Sequence, residues 1–260
     1  GAGVDQTKII LQNASANEHE TGAFSFFGGE VPKTSVLLAA DVKKSDRVLE
    51  VRDPPPFSAG DFVMIRAHSD DVVKANDFYR KKFHAYKDGA EWDYGHTGIY
   101  LIDDVKGNFL ILSQPIRISF RKTPAGKPFA LSSYVRGSID LIENCGVEDL
   151  SIETEKFADK MYTSGISFTR AFSCWVADVN VDWAGSHPIH FSLSKNIEAR
   201  DLDIEHSWNL GGGGNGYLVL WGTADGIMEN IVSDSLRHAP NFQGFANGCV
   251  FRNSVFTRNN

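Results

Sequence analysis

Val176-Ala-Asp-Val179-Asn-Val181 decides the fold, because its pattern recurs. The hexad holds an apolar residue, two others, a usually apolar residue, one more, and a further apolar residue. It returns as Val147-Glu-Asp-Leu150-Ser-Ile152, Ala199-Arg-Asp-Leu202-Asp-Ile204, Met228-Glu-Asn-Ile231-Val-Ser233 and Val250-Phe-Arg-Asn253-Ser-Val255. The first residues fall at 147, 176, 199, 228 and 250, so the spacings are 29, 23, 29 and 22. Ten residues ahead of three anchors stands a second alternating segment: Ile166-Ser-Phe168, Ile189-His-Phe191 and Leu218-Val-Leu220. Each repeat therefore holds about three short strands, and none contains a long apolar stripe at helical spacing. Stacked units place each strand on its equivalent one coil away, about 4.8 Å distant. The third hexad position reads Asp149, Asp178, Asp201, Asn230. Asp and Asn tolerate left-handed backbone, so this column predicts a sharp corner between two strands.

The composition agrees with many short strands. Gly (24) and Phe (18) are abundant and Met (3) is scarce in a chain of 260 residues. Thirty-three acids against 26 bases leave a net charge of −7, which argues against a nucleic-acid partner. No apolar run is long enough to span a membrane. The chain opens Gly1-Ala2-Gly3 without a methionine or a visible leader, as a processed or trimmed product would. It stops at Asn260, five residues after the last hexad, with no recognisable cap. That ending reads as a fragment of a longer chain, or as an end covered by a partner.

The hexads and their Asp/Asn corner, over roughly 137–260, resemble the right-handed parallel β-helix superfamily that includes pectate and pectin lyases. The segments Ser186-His-Pro-Ile-His-Phe191, Gly211–Gly214 and Arg237-His-Ala-Pro-Asn-Phe-Gln243 are similar to β-helix proteins of microbial surfaces and secretomes. The fold implied is all-β: coils of about 22–29 residues at 137–260, preceded by a β-rich module at 1–136 that includes the first coils. Within 1–136, Val36–Val51 reads as strand, turn, strand; Phe62–Arg66 as a strand; and Ile99–Ile102 with Phe109–Leu112 as a hairpin about Gly107-Asn108. The inserted loop 69–98 is rich in charge and aromatics, with Tyr79, Lys81, His84, Tyr86 and Trp92 among them. Its turn signals fit either a flap over a groove or a solvated interaction surface. The resemblance implies that the N-terminal module caps the helix, since an open coil end exposes unpaired edge groups.

Strand alternation fixes which side chains leave the coil. With Ile166, Ile189 and Leu218 inside, Ser167, His190 and Val219 point out, and Thr169, Ser192 and Trp221 follow. Counting back from Val250 adds Asn241 and Gln243 to these columns. The turns add Trp183 and His187, then His206 and Trp208, then Arg237 and His238, with Trp183 and His206 equivalent. These residues are expected to gather along one face.

Such a face suits a polysaccharide, because aromatic rings stack on sugars while His and Arg move protons and bind carboxylates. Lyase chemistry on a uronate needs a base and a cation on the carboxylate. His190 or His238 is the candidate base, Arg237 is the candidate carboxylate binder, and His206 is a further candidate catalytic residue. Trp183, His187, Trp208, Trp221, Asn241 and Gln243 would bind substrate. A hydrolase needs two carboxylates about 5–9.5 Å apart, and Asp182, Glu205, Asp225 and Asp234 lie only at the margins of this face. The expected function is therefore a secreted or cell-surface, carbohydrate-active β-helix that cleaves a uronate-containing polysaccharide by β-elimination. A glycoside hydrolase or epimerase on the same scaffold is one alternative. A non-catalytic glycan-binding, adhesin or appendage-assembly β-helix is another. The expected partners are a glycan, and a further copy of the chain or a C-terminal remainder.

Three features have plainer roles. His187-Pro-Ile-His190 places residues three apart on opposite sides of an extended strand, so no shared metal is expected, and no zinc spacing is present. No cofactor is required, although calcium on Asp103, Asp104 or other surface acids is compatible with the sequence. Gly211-Gly-Gly-Gly214-Asn215 lacks the context of a phosphate loop and reads as a flexible turn beside the groove. Cys145 and Cys174 each stand two residues before an anchor and should stack on successive coils. They read as buried thiols, with a disulfide geometrically possible but strained by the strand spacing, and Cys249 reads as interior.

Overall fold

The computed structural model describes residues 1–12, 22–29, 34–66, 97–122, 134–157, 161–211, 216–244 and 246–258. Strands are numbered β1–β20 in chain order. The chain forms two units, Gly1–Gly28 with Leu141–Asn260, and Gly29–Asp140. The division thus falls after residues 28 and 140 rather than at 136/137, because the N-terminal strands join the coils.

The first unit is a parallel β-helix. One face stacks β1 (Lys8–Leu11), β10 (Gly146–Thr154), β13 (Trp175–Ala184), β15 (Glu198–Ser207) and β17 (Ile227–Asp234). It ends on β19 (Val250–Arg252) and β20 (Val255–Thr257), both paired to β17. A second face stacks β2 (Gly22–Phe27), β11 (Ser164–Thr169), β14 (Ile189–Ser192), β16 (Tyr217–Trp221) and β18 (His238–Gln243). The third side is short: β9 (Ile142–Glu143) pairs β12 (Ala171–Phe172), and single bridges continue through Lys195, Ala224 and Asn247.

Left-handed residues turn the coil at its corners. The hexad corner is Asp149, Asp178, Asp201, Asn230 and Asn253, with φ of 59°, 52°, 56°, 53° and 50°. Asn253 belonging to this column corrects the register of the last copy. Met228 pairs with Phe251, and Ile227 with Val250, so the final hexad begins at Phe251. Val250 and Val255 face out instead, 47% and 56% exposed. The corner requires the Asn, and that requirement overrides the apolar match one residue earlier.

The interior is a set of apolar columns. Val147, Val176, Ala199 and Met228 form one, and Leu150, Val179, Leu202 and Ile231 another. On the second face the Phe168 ring stacks on Phe26 at 4.4 Å and on Phe191 at 5.3 Å. Each such ring stabilises the coil by roughly 2–3 kcal/mol through burial, plus about 1 kcal/mol for the stacked geometry.

The second unit is an antiparallel sheet. Its strands are β3 (Ser35–Leu37), β4 (Val48–Glu50), β5 (Phe62–Arg66), β6 (Thr97–Lys106), β7 (Phe109–Leu112) and β8 (Tyr134–Gly137), in the order β3-β8-β5-β6-β7-β4. Val63, Ile65, Leu110 and Val135 are fully buried in its core. The expected hairpin β6–β7 forms about Gly107, whose φ is 58°. The expected pairing within Val36–Val51 reduces to one bridge, Leu38 to Val51, because β3 pairs β8 and β4 pairs β7. Residues 69–96 of the inserted loop lie outside the described residues. No helix among the described residues is long and apolar enough to cross a membrane.

Candidate functional site

The site grows from one corner of the helical unit. Trp183 and His206 are the left-handed residues that follow β13's and β15's long runs, at φ 54° and 59°. A left-handed corner residue throws its side chain outward, and two on adjacent coils bring their rings together. The Trp183 and His206 rings stack at 4.4 Å and 7°. Trp208 adds a second stacked contact on Trp183, at 4.0 Å and 27°. Its Nε1 donates to the Thr154 carbonyl at 2.7 Å, and its backbone N–H donates to Ala184. Lys156 places its ammonium 5.8 Å from the Trp208 ring centre.

A column of carboxylates runs beside these rings. The register aligns Glu153, Asp182, Glu205 and Asp234 on four successive coils. Like charges directly opposite one another destabilise a sheet, so each needs a counterweight. Lys8 pairs with Glu153, and Arg258 with Asp234, whose Oδ1 also accepts from Thr257 at 2.9 Å. The middle two carboxylates have His206 instead. Its Nδ1 lies 3.0 Å from an Asp182 oxygen and 3.9 Å from a Glu205 oxygen. Among the described residues, no Lys or Arg pairs with Asp182 or Glu205. With Nδ1–H donated to Asp182, the ring is fixed in one tautomer and its Nε2 is a proton acceptor. The ligand atoms of Asp182, Glu205 and His206 all lie within 4.8 Å of one another, so among the described residues these three could hold a metal ion. Asp104, one of the acids compatible with calcium, lies 3.0 Å from the Lys106 ammonium, and that contact holds its carboxyl below the usual range.

The other expected residues separate into different places. His187 and His190 do come together, with ring centres 5.2 Å apart, but they are buried, 6% and 7% exposed. The expectation that they line an open groove is therefore corrected. His190 does leave the coil beside Ser167, as alternation requires. Yet β11 and β14 are buried at every position, on both sides. The Ser167, Thr169 and Ser192 hydroxyls are buried there without hydrogen-bond partners among the described residues. Arg237 donates to the Gly211 carbonyl through its guanidinium and to the Gly216 carbonyl through its backbone N–H. His238 is exposed and in register with Tyr217. Trp221 and Gln243 are register partners, as are Val219 and Asn241. Trp221, His238, Asn241 and Gln243 stand on β16 and β18 of the second face, whereas Trp183 and His206 stand on β13 and β15 of the first.

Sequence reasoning placed Asp182 and Glu205 at the margins and did not consider Lys156. The signal for the acids was present: each is the residue after a hexad's last position, one before a corner ring.

No protein-family model matches the chain, and no curated protein matches its sequence. Similar solved structures do exist. The tailspike protein gp49 from Pseudomonas phage LKA1 aligns over 98% of this chain and 43% of its own, with TM-score 0.60 and 16% identity. The Pseudomonas phage phi297 tailspike gp61 aligns over 98% and 38%, with TM-score 0.55 and 14% identity. The gp54 tailspike of Acinetobacter baumannii bacteriophage AP22, determined with a capsular saccharide, aligns over 88% and 34%, with TM-score 0.46 and 12% identity. The chain thus spans about two fifths of the length of the first two tailspikes. The fold it shares with the first two is all-β, and its helical unit is a right-handed parallel β-helix.

Proposed function

We propose that this β-helix binds a glycan at the Trp183–His206–Trp208 corner and cleaves it by β-elimination at a uronate residue, in an extracellular or surface setting. The observation that carries this reading is the stacked ring cluster with an Asp182-oriented imidazole inside it. Trp183 and Trp208 offer partly exposed ring surface for a sugar. His206 takes the proton next to the uronate carboxylate, and Asp182 stabilises the imidazolium that forms. Lys156, beside Trp208, is the cation available for the substrate carboxylate. The likeness to tailspikes supplies the scaffold and not the chemistry, because function belongs to the site.

A second reading rests on a specific distance. Asp182 and Glu205 approach within 4.8 Å, close to the separation of about 5–5.5 Å used by retaining glycosidases. Such an enzyme needs one carboxyl kept protonated, usually by burial. The Asp182 and Glu205 side chains are 48% and 50% exposed, so neither stands in a buried setting of that kind, and elimination is favoured.

The test is incubation with polygalacturonate, alginate and a bacterial capsular polysaccharide, reading unsaturated-uronide absorbance and reducing ends together. Rising absorbance supports elimination. Reducing ends without absorbance support the hydrolytic reading. Neither signal overturns cleavage of these glycans and leaves a binding role, which quenching of tryptophan emission by the same polymers would register.

A further inference from the structure

Cys145 and Cys174 stand immediately before the paired residues Gly146 and Trp175, at the same point of successive coils. Their sulfurs are 3.5 Å apart. Neighbouring parallel strands run about 4.8 Å apart, inside the Cα separation of roughly 4.4–6.8 Å that a disulfide accepts. Closing the bond needs the sulfurs to approach by about 1.5 Å.

The third cysteine cannot compete. The coil register carries this column through Cys145, Cys174, Ile197, Gly226 and Cys249. Consistent with that, a Cβ built on Gly226 would lie 3.2 Å from Ile197 and 3.5 Å from the Cys249 sulfur. Cys249 is thus three coils from Cys174, roughly 14 Å away, with Ile197 between them. The expected pairing is fixed by geometry although the cysteine count is odd.

We propose that Cys145 and Cys174 are a covalent modification site, closing to a disulfide that staples one full coil when the protein meets an oxidising small-molecule disulfide. The reaction consumes one external disulfide and two protein thiols, and yields the Cys145–Cys174 bond and two external thiols. The half-buried Cys145 is reached first. Its thiolate attacks the reagent, a mixed disulfide forms, and one reagent thiol leaves. The Cys174 thiolate then attacks the Cys145 sulfur and expels the second. Cys174 is 1% exposed, and burial pushes its thiol up to about 12. Closure therefore accelerates as the pH rises, and Cys174 on its own is inert to large reagents.

The experiment is oxidation of the folded chain with oxidised glutathione, followed by alkylation and peptide mapping. The expected result is a Cys145–Cys174 cross-linked peptide, lighter than the two thiol peptides by two hydrogens, with Cys249 alkylated. The melting temperature rises by about 5–10 °C and dithiothreitol reverses the change. C145S shows no oxidant-dependent rise. Persistent glutathione adducts, both cysteines alkylated, or a cross-link involving Cys249 would overturn the proposal. The mapping uses the unmodified sequence, so it decides the matter even if C145S fails to fold.

Discussion

His206 and His190 sit on consecutive strands that belong to different faces of one β-helix, and their surroundings differ in the way that matters for chemistry. His206 is at a corner, partly exposed, stacked on Trp183 and bonded to Asp182. His190 is mid-strand, 7% exposed, beside His187 and buried hydroxyls. Period-two alternation says only that a side chain leaves the coil. It does not say whether solvent lies beyond. Corners, in contrast, project side chains from a backbone that turns away beneath them, so they stay accessible.

The largest expected effect separates the two imidazoles. His206→Ala lowers kcat/KM for the cleaved glycan by roughly 10²–10⁴-fold, the usual contribution of a general base, with a small fall in melting temperature from the lost Trp183 stack and Asp182 contact. Steady-state kinetics beside calorimetry checks this. The buried imidazole behaves oppositely. His190→Ala costs about 2–4 kcal/mol of stability, from the lost packing and the polar neighbours left behind, while the turnover of the folded fraction is kept. Urea titration gives the first quantity and active-site-normalised rates the second.

Smaller changes sharpen the contrast. Trp208→Phe keeps the ring stack and removes the Nε1 bond to Thr154, so stability falls by about 1 kcal/mol. Thr169→Val on the buried face removes a hydroxyl that has no partner. Its stability stays within about 1 kcal/mol of the parent, neutral or higher. A drop well beyond that in chemical denaturation would mean that the hydroxyl is satisfied in solution.

The smallest effect concerns the hexad corner. The Asn230 amide, and then the Arg200 guanidinium, hold the Asp201 carboxyl below its ordinary 3.8. A depressed carboxylate contributes stability above its unfolded pKa and loses it as pH falls. The parent should therefore lose slightly more stability than Asp201→Asn as the pH drops below about 4, and salt should shrink the difference at this surface site.

Much of the helix was legible because one hexad and one left-handed corner dictate every coil. The outward columns through Asn241 and Gln243 were readable for the same reason. The final copy slipped by one because Val250 matched the apolar pattern, while Asn253 obeyed the backbone constraint. The site was only half readable. The equivalence of Trp183 and His206 followed from spacing, and their stack confirms it. Asp182 and Glu205 were undervalued, since their importance comes from register across coils and not from proximity in sequence. The burial of His187 and His190 was illegible, because a local pattern carries no information about what covers a sheet's outer face.

The most direct measurement compares the parent, His206→Ala and His190→Ala in one polysaccharide panel, with unsaturated ends, reducing ends and melting temperature read on each. The expected result is absorbance gain by the parent and by folded His190→Ala, and none by a fully folded His206→Ala. A parent that cleaves nothing, or a His206→Ala variant that cleaves as fast as the parent, would contradict the assignment of the Trp183–His206–Trp208 corner as the catalytic site.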